Sequence, residues 1–306
     1  MANRWLAVLA VFGIVGGAAT GFSQGPPPSQ TPGAPTSTPN TGGVRSGGIL
    51  VPTITLGDGL TPVPDYNQVK VPDPIPQTPE GFVPLFNGKD LAGWHVSKTA
   101  RHGRTPDFRV MHGMLLATQQ PYGQGGMLVT DKKYRNFELT LEAKPDWGCD
   151  SGIFFRATES GAAYQITMDY LGSGNGNLGR LIGEGGISLA GARGGSAAGR
   201  GTPTTPDPTA GRSAAPATGQ ATPSAASQAW KREDWNTVRV RVEGAAPKVT
   251  VWINGQLVNE QQDSSNHAPD GMVEGPIALQ VHGGTDRWVP GGFWRWRNIA
   301  IRELPE

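Results

Sequence analysis

Apolar and polar positions alternate with period two through most of the second half of the chain. In Asn136–Pro145 (NFELTLEAKP), Phe137, Leu139 and Leu141 share one side while Glu138, Thr140 and Glu142 share the other, the period of a half-buried strand. TVRVRVEG repeats the pattern, with Val238, Val240 and Val242 inward and Arg239, Arg241 and Glu243 outward. KVTVWINGQLVNE reads as two strands around Asn254-Gly255, a dipeptide suited to a two-residue hairpin turn. GPIALQVHGG and FWRWRNIAIREL add two more strands, and FVPLF, DFRVMHGMLLAT and GGMLVTD precede them. Between these lies WGCDSGIFFRATESGAAYQITMDY, Trp147 to Tyr170. It predicts a hairpin of Ser151–Ala157 and Ala163–Tyr170 that puts Gln165, Thr167 and Asp169 on one face and Tyr164, Ile166 and Met168 on the other. No stretch carries a convincing amphipathic helix. About ten to thirteen short strands, with turn signals roughly every eight to twelve residues, predict an antiparallel β-sandwich.

Composition changes this picture at two places. Glycine (45) and proline (27) together make about a quarter of the 306 residues, more than one packed domain uses. Residues 1–23 read as a secretory signal, with Arg4 before the apolar Trp5–Val15 and small residues at Gly21-Phe22-Ser23. The apolar run is short and glycine-broken for a membrane span, so we expect a product that is secreted, periplasmic or in the cell envelope. Residues 24–79 form a low-complexity linker: Gln24–Gly48 cannot bury enough apolar surface to order itself, and prolines recur through Ile49–Pro79. That proline spacing predicts an extended segment lying against the domain, which runs over 80–306. Inside it, Ala190–Ala229 is a second tract of Gly, Ala, Thr, Pro and Ser, expected to be a long disordered loop.

Net charge is +1, which argues against a nucleic-acid partner or an anionic membrane surface. A single cysteine, Cys149, excludes an intrachain disulfide framework and a cysteine zinc cage; a small half-buried side chain is its expected role. Candidate chemistry gathers elsewhere. Arg156 sits within an apolar run, as either a ligand contact or a buried arginine paired with a core carboxylate. Asp169 is an acid candidate or a strand cap. Glu184 is flanked by Gly183 and Gly185-Gly186, which leave a ligand room to approach. His282 follows Gln280 in parity and could act as acid or base. His95, His102, His112 and His267 fall in or near turns and read as surface residues. Trp94 and Trp296 read as core; Trp252, Trp288 and Trp294 read as groove or rim residues. No cofactor is evident, although a single Ca²⁺ or other oxygen-ligated divalent ion suits this class of fold.

PLFNGKDLAGWHV, NFELTLEAKP, DSGIFFRA, AYQITMDY, DWNTVRVRVEG, VTVWINGQLV, GPIALQVHGG and WRNIAIREL follow one another in this order. Together they resemble the 3-keto-disaccharide hydrolase family over about Gly81 to Leu304. The resemblance implies a concanavalin A-like jelly roll of two antiparallel sheets whose concave face meets a sugar. It also implies cleavage of glycosides already oxidised to a ketone at carbon 3, with an oxidised carbohydrate as partner. On this reading Glu184, His282 and Asp169 are the catalytic candidates, and Arg156, Gln165, Tyr164 and Trp252 contact substrate. The family's Tyr-Glu-x-Gln-x-x-Asp pattern is altered here: Gln165 stands at the Glu position and Thr167 at the Gln position. A non-catalytic sugar-binding module or a cell-envelope interaction domain is the alternative.

Overall fold

The computed structural model describes residues 44–46, 49–51, 64–72, 74–104, 107–168, 178–189 and 225–306. The expected signal segment, most of the Pro-rich arm, Asp169 and most of the 190–229 tract lie outside the described residues. Strands are numbered in chain order. β1 (Val44–Ser46) and β2 (Ile49–Val51) form a small antiparallel pair within the expected linker.

Two antiparallel sheets make the domain. One contains β4 (Trp94–Val96), β7 (Gly126–Thr130), β9 (Gly152–Phe155), β10 (Ala163–Thr167), β11 (Leu181–Glu184) and β15 (Ile277–Val281), in the order β11-β10-β9-β15-β7-β4. The other contains β3 (Val83–Pro84), β5 (Phe108–Met111), β6 (Met114–Ala117), β8 (Phe137–Ala143), β12 (Asn236–Glu243), β13 (Lys248–Ile253), β14 (Gln256–Gln262) and β16 (Trp294–Glu303). Its order is β14-β13-β12-β8-β16-β6-β5, and β3 pairs further along β16. The expected jelly-roll sandwich is therefore the observed class.

The alternations place the core as predicted. Leu139 and Leu141 of β8, and Val238, Val240 and Val242 of β12, meet Ile153, Phe155, Tyr164 and Ile166 of the other sheet. The rings of Phe155 and Tyr164 stack at 5.1 Å, and those of Trp294 and Trp296 at 5.4 Å. Each such side chain taken from water contributes about 1.5–3 kcal/mol. Trp288 and Trp294, expected at a groove or rim, are core residues: their indole N–H groups donate to the Gly292 and Cys149 carbonyls. Asn254 and Gly255 both take positive φ, at 49° and 79°, as a two-residue hairpin turn between antiparallel strands requires.

Two boundaries move. Residues 64–79 are more than a linker, since Tyr66 packs edge-on against Phe293 and Val69 joins Met114 and Leu116 in a satellite core. The end of the low-complexity tract forms a short helix, α1 (Ala225–Ala229), with Ala226 and Ala229 buried. Asn254 Nδ2 donates to the Ala229 carbonyl at 2.8 Å and pins the helix to the β13–β14 turn. Cys149 is fully buried, and a Cβ added at Gly292 would lie 2.5 Å from its sulfur. Burial, reinforced by the nearby Asp146 charge, pushes the thiol well above its ordinary range.

Candidate active site

The outer face of the six-stranded sheet carries the polar cluster. Period two sends Tyr164 and Ile166 inward, so Gln165 points outward from β10; Gln280 does the same from β15. Met127, Phe154, Ala163 and Ala278 surround them as an apolar floor. The β4–β5 loop lies across this floor with its His102–Gly103 main chain against Gly125 and Gly283. A Cβ on either glycine would come within 2.5 Å of the His102 carbonyl oxygen, so only glycine admits the crossing. The His102 ring consequently sits edge-on over Phe154 at 5.6 Å.

Gln165 is 5% exposed and Gln280 1%. Gln165 Nε2 donates to Gln280 Oε1 at 3.3 Å, and Gln280 Nε2 donates to His102 Nδ1 at 2.9 Å. Gly152 makes this chain possible, because a Cβ there would lie 2.2 Å from Gln165 Nε2. Since His102 Nδ1 accepts, the ring proton resides on Nε2. That Nε2 and Gln165 Oε1 are both buried without a protein partner: one donor and one acceptor left on a desolvated face. Such vacancies cost stability unless a ligand fills them. Burial, then the nearby His282 and Arg101, depresses the His102 pKa to about 3, which keeps the ring neutral.

His282 has the opposite tautomer. Its Nδ1 donates to the Gly283 carbonyl at 2.5 Å, and a carbonyl can only accept, so in the neutral ring Nε2 carries the lone pair. Its own main chain is fixed by the Asp150 carbonyl and the Gln119 side-chain amide. The two imidazole centroids are 6.3 Å apart. Glu184, half-buried at the end of β11, has its pKa raised by burial, against the opposing pull of Arg101, His282 and the Gly185 N–H. A hydrogen-bond donor, a base, a carboxyl with raised pKa and a guanidinium therefore share one face.

Glu184, His282 and Gln165 are thus brought together on this face. Arg156 is not part of the face. It follows β9 with φ 49°, is 0% exposed, and donates to the Gly244 and Ala245 carbonyls at 2.6 and 2.5 Å and to Asn266 Oδ1 at 3.4 Å. The buried-arginine reading holds, with carbonyls in place of the expected carboxylate. Tyr164 points into the core, where its hydroxyl donates to Asp263 at 2.7 Å and accepts from the His267 N–H; strand parity leaves it no route to a groove. Trp252 lies on the other sheet, beside Arg239. Asp169 is outside the described residues. His102, Gln280 and Arg101 are the members that strand patterning misses. His102 and Arg101 come from a loop without periodicity, and their sign in the sequence is the set of glycines facing the loop. No group of three or more His, Cys, Asp or Glu placed to hold a metal occurs among the described residues.

An all-β sandwich with a partly desolvated polar face is the architecture of many sugar-handling proteins. Residues 81–302 match the family described as the 3-keto-alpha-glucoside-1,2-lyase-like domain. The chain belongs to this family. A 3-keto-disaccharide hydrolase of Bacteroides thetaiotaomicron is 30% identical over 88 residues, which span 28% of this chain and 30% of that one. The alignment thus covers under a third of the curated relative. A crystallised Parabacteroides distasonis protein, provisionally named a glycosyl hydrolase, is 20% identical with a TM-score of 0.45, covering 73% of this chain and 99% of its own. A Bacillus subtilis protein with a galectin-like fold is 11% identical with a TM-score of 0.38, covering 70% and 90%.

Proposed function

We propose that the protein is an enzyme that cleaves the glycosidic bond of sugars carrying a ketone at carbon 3. Family membership and the name of the Bacteroides relative support the substrate class. The observation that carries the chemistry is the pair of opposite tautomers, His282 with a free lone pair and His102 with a free N–H, on one desolvated face.

A ketone at carbon 3 acidifies the hydrogen on carbon 2. His282 Nε2 takes that proton, and the electron pair moves toward the ketone oxygen. His102 Nε2–H, neutral and desolvated, hydrogen-bonds the oxygen as charge develops on it. Collapse of the enolate forms the C1–C2 double bond and expels the glycosidic oxygen from carbon 1. Glu184, whose pKa is raised by burial, supplies the proton to that oxygen. Water then adds to carbon 1 and a proton to carbon 2, completing net hydrolysis. Gln165 has no proton-accepting group of useful basicity, so its part is to hold Gln280 and offer Oε1 to a sugar hydroxyl. Paired carboxylates of the ordinary glycosidase kind are not needed. The Arg4, Trp5–Val15 and Gly21-Phe22-Ser23 pattern supports export of the chain.

The test is turnover of a 3-keto-disaccharide. His282→Gln and Glu184→Gln should each lower kcat by about 100-fold or more while substrate still binds. Undiminished turnover in either variant removes that residue from the mechanism. Sugar binding without turnover by the intact protein replaces the enzyme with a sugar-binding module.

A further inference from the structure

The outer face of the eight-stranded sheet holds a cavity of about 370 Å³, lined by Pro79, Phe82, Thr140, Thr237, Arg239 and Trp252. The register aligns Trp252, Arg239 and Thr140 in one row across β13, β12 and β8. The Arg239 guanidinium lies 5.3 Å from the Trp252 ring and 5.9 Å from that of Phe82, so one cation stands between two aromatic walls. In the next row, Glu138 is buried and serves three arginines: Arg239 Nη2 donates to it at 2.6 Å, Arg302 donates to it, and Arg241 Nη1 lies at 3.6 Å. Glu243 gives Arg241 a second partner at 2.6 Å. Three positive charges thus meet two negative ones beside the cavity, and Arg239 is the member of this cluster that lines it. Arg239 and Arg302 share a single carboxylate between them. None of these residues lies on the sheet that carries His102, Glu184 and His282.

We propose that this cavity binds an acidic sugar, a hexuronate unit within a glycan, separately from the catalytic face. A pyranose presents a C–H face that stacks on Trp252 or Phe82. Its carboxylate meets the arginine surplus with charge-assisted hydrogen bonds, and its hydroxyls reach Thr140 and Thr237. The cavity size and its aromatic walls with few polar groups suit a small ligand or one unit of a chain. A neutral sugar would use the walls and leave the charge unmet.

Titration calorimetry of the full chain with an oligogalacturonate, and with a neutral oligogalactoside of equal length, tests this. We expect saturable binding of the oligogalacturonate that weakens with added NaCl, and binding of the neutral chain weaker by about tenfold or more. Trp252→Ala should lose about tenfold in affinity and Trp252→Phe should largely keep it, with cleavage at the other face unchanged in both. Glu184→Gln should leave this binding intact. Equal affinity for the two oligosaccharides overturns the acidic assignment. No saturable binding, or binding lost in Glu184→Gln and kept in Trp252→Ala, overturns the site.

Discussion

Arg156 and Gln165 are both buried polar side chains, yet their surroundings ask opposite things of them. Arg156 has three acceptors and ties β9 to residues 244, 245 and 266. Gln165 keeps an acceptor that no protein group fills. Hydrogen bonds from a charged group contribute about 1.5–3 kcal/mol each. Arg156→Met, which leaves two carbonyls unpaired, should therefore cost about 3 kcal/mol, lowering the melting temperature by roughly 8 °C. Substrate affinity should not change. Thermal unfolding beside a binding titration checks this, and lost affinity without lost stability would restore Arg156 to the site. Its apolar neighbours show in the sequence that Arg156 is enclosed. They do not show by what, because the acceptors stand 88, 89 and 110 residues further on and become neighbours only through the fold. Glu184 was legible for the opposite reason: the glycines that clear its surroundings are next to it in the chain.

At the scale of elements, strands whose partners share one alternating pattern were readable outright. β8, β12 and the Asn254-Gly255 hairpin follow from side-chain period and turn chemistry alone. The β4–β5 loop was not readable, since its path is set by glycines on two other segments. A related contact holds the β9–β10 turn. His95 of β4 bonds Asp131 at 2.6 Å through Nδ1 and Glu159 at 2.7 Å through Nε2, and Ser97 Oγ donates to the Glu159 carbonyl at 2.6 Å. Glu159, and less strongly Asp131, raises the His95 pKa above its ordinary 6.5. A raised histidine value means stabilisation that is complete below 6.5 and lost as pH rises through the folded-state value. His95→Ala should therefore lower the melting temperature most between about pH 5 and 6.5, where the carboxylates are also ionised. The difference should shrink toward pH 9. A difference independent of pH would show that the ring contributes by packing alone.

Across the whole molecule, the two outer faces differ in kind. One holds imidazoles and amides over an apolar floor, with Glu184 and Arg101 beside them; the other holds ion pairs and aromatic walls. The domain also begins earlier than composition suggests. Proline spacing marks residues 64–79 as extended but cannot show that Tyr66 and Val69 close a satellite core with Met114, Leu116 and Phe293. Arg109 covers the Tyr66 ring at 4.0 Å. A chain starting at Glu80 should fold with about 2–4 kcal/mol less stability than one that retains residues 64–79, as expected when large apolar side chains leave a packed site. Urea unfolding of the two chains measures it; equal midpoints would make the segment a bystander.

The burial of Cys149 has a practical corollary. The protein's only sulfhydryl lies in the sandwich interior, held in its unreactive protonated form by its surroundings. A thiol reagent in solution can therefore reach it only when the interior opens. The rate at which the native protein takes up one equivalent of label then clocks that opening, with no engineered probe and no background from other cysteines.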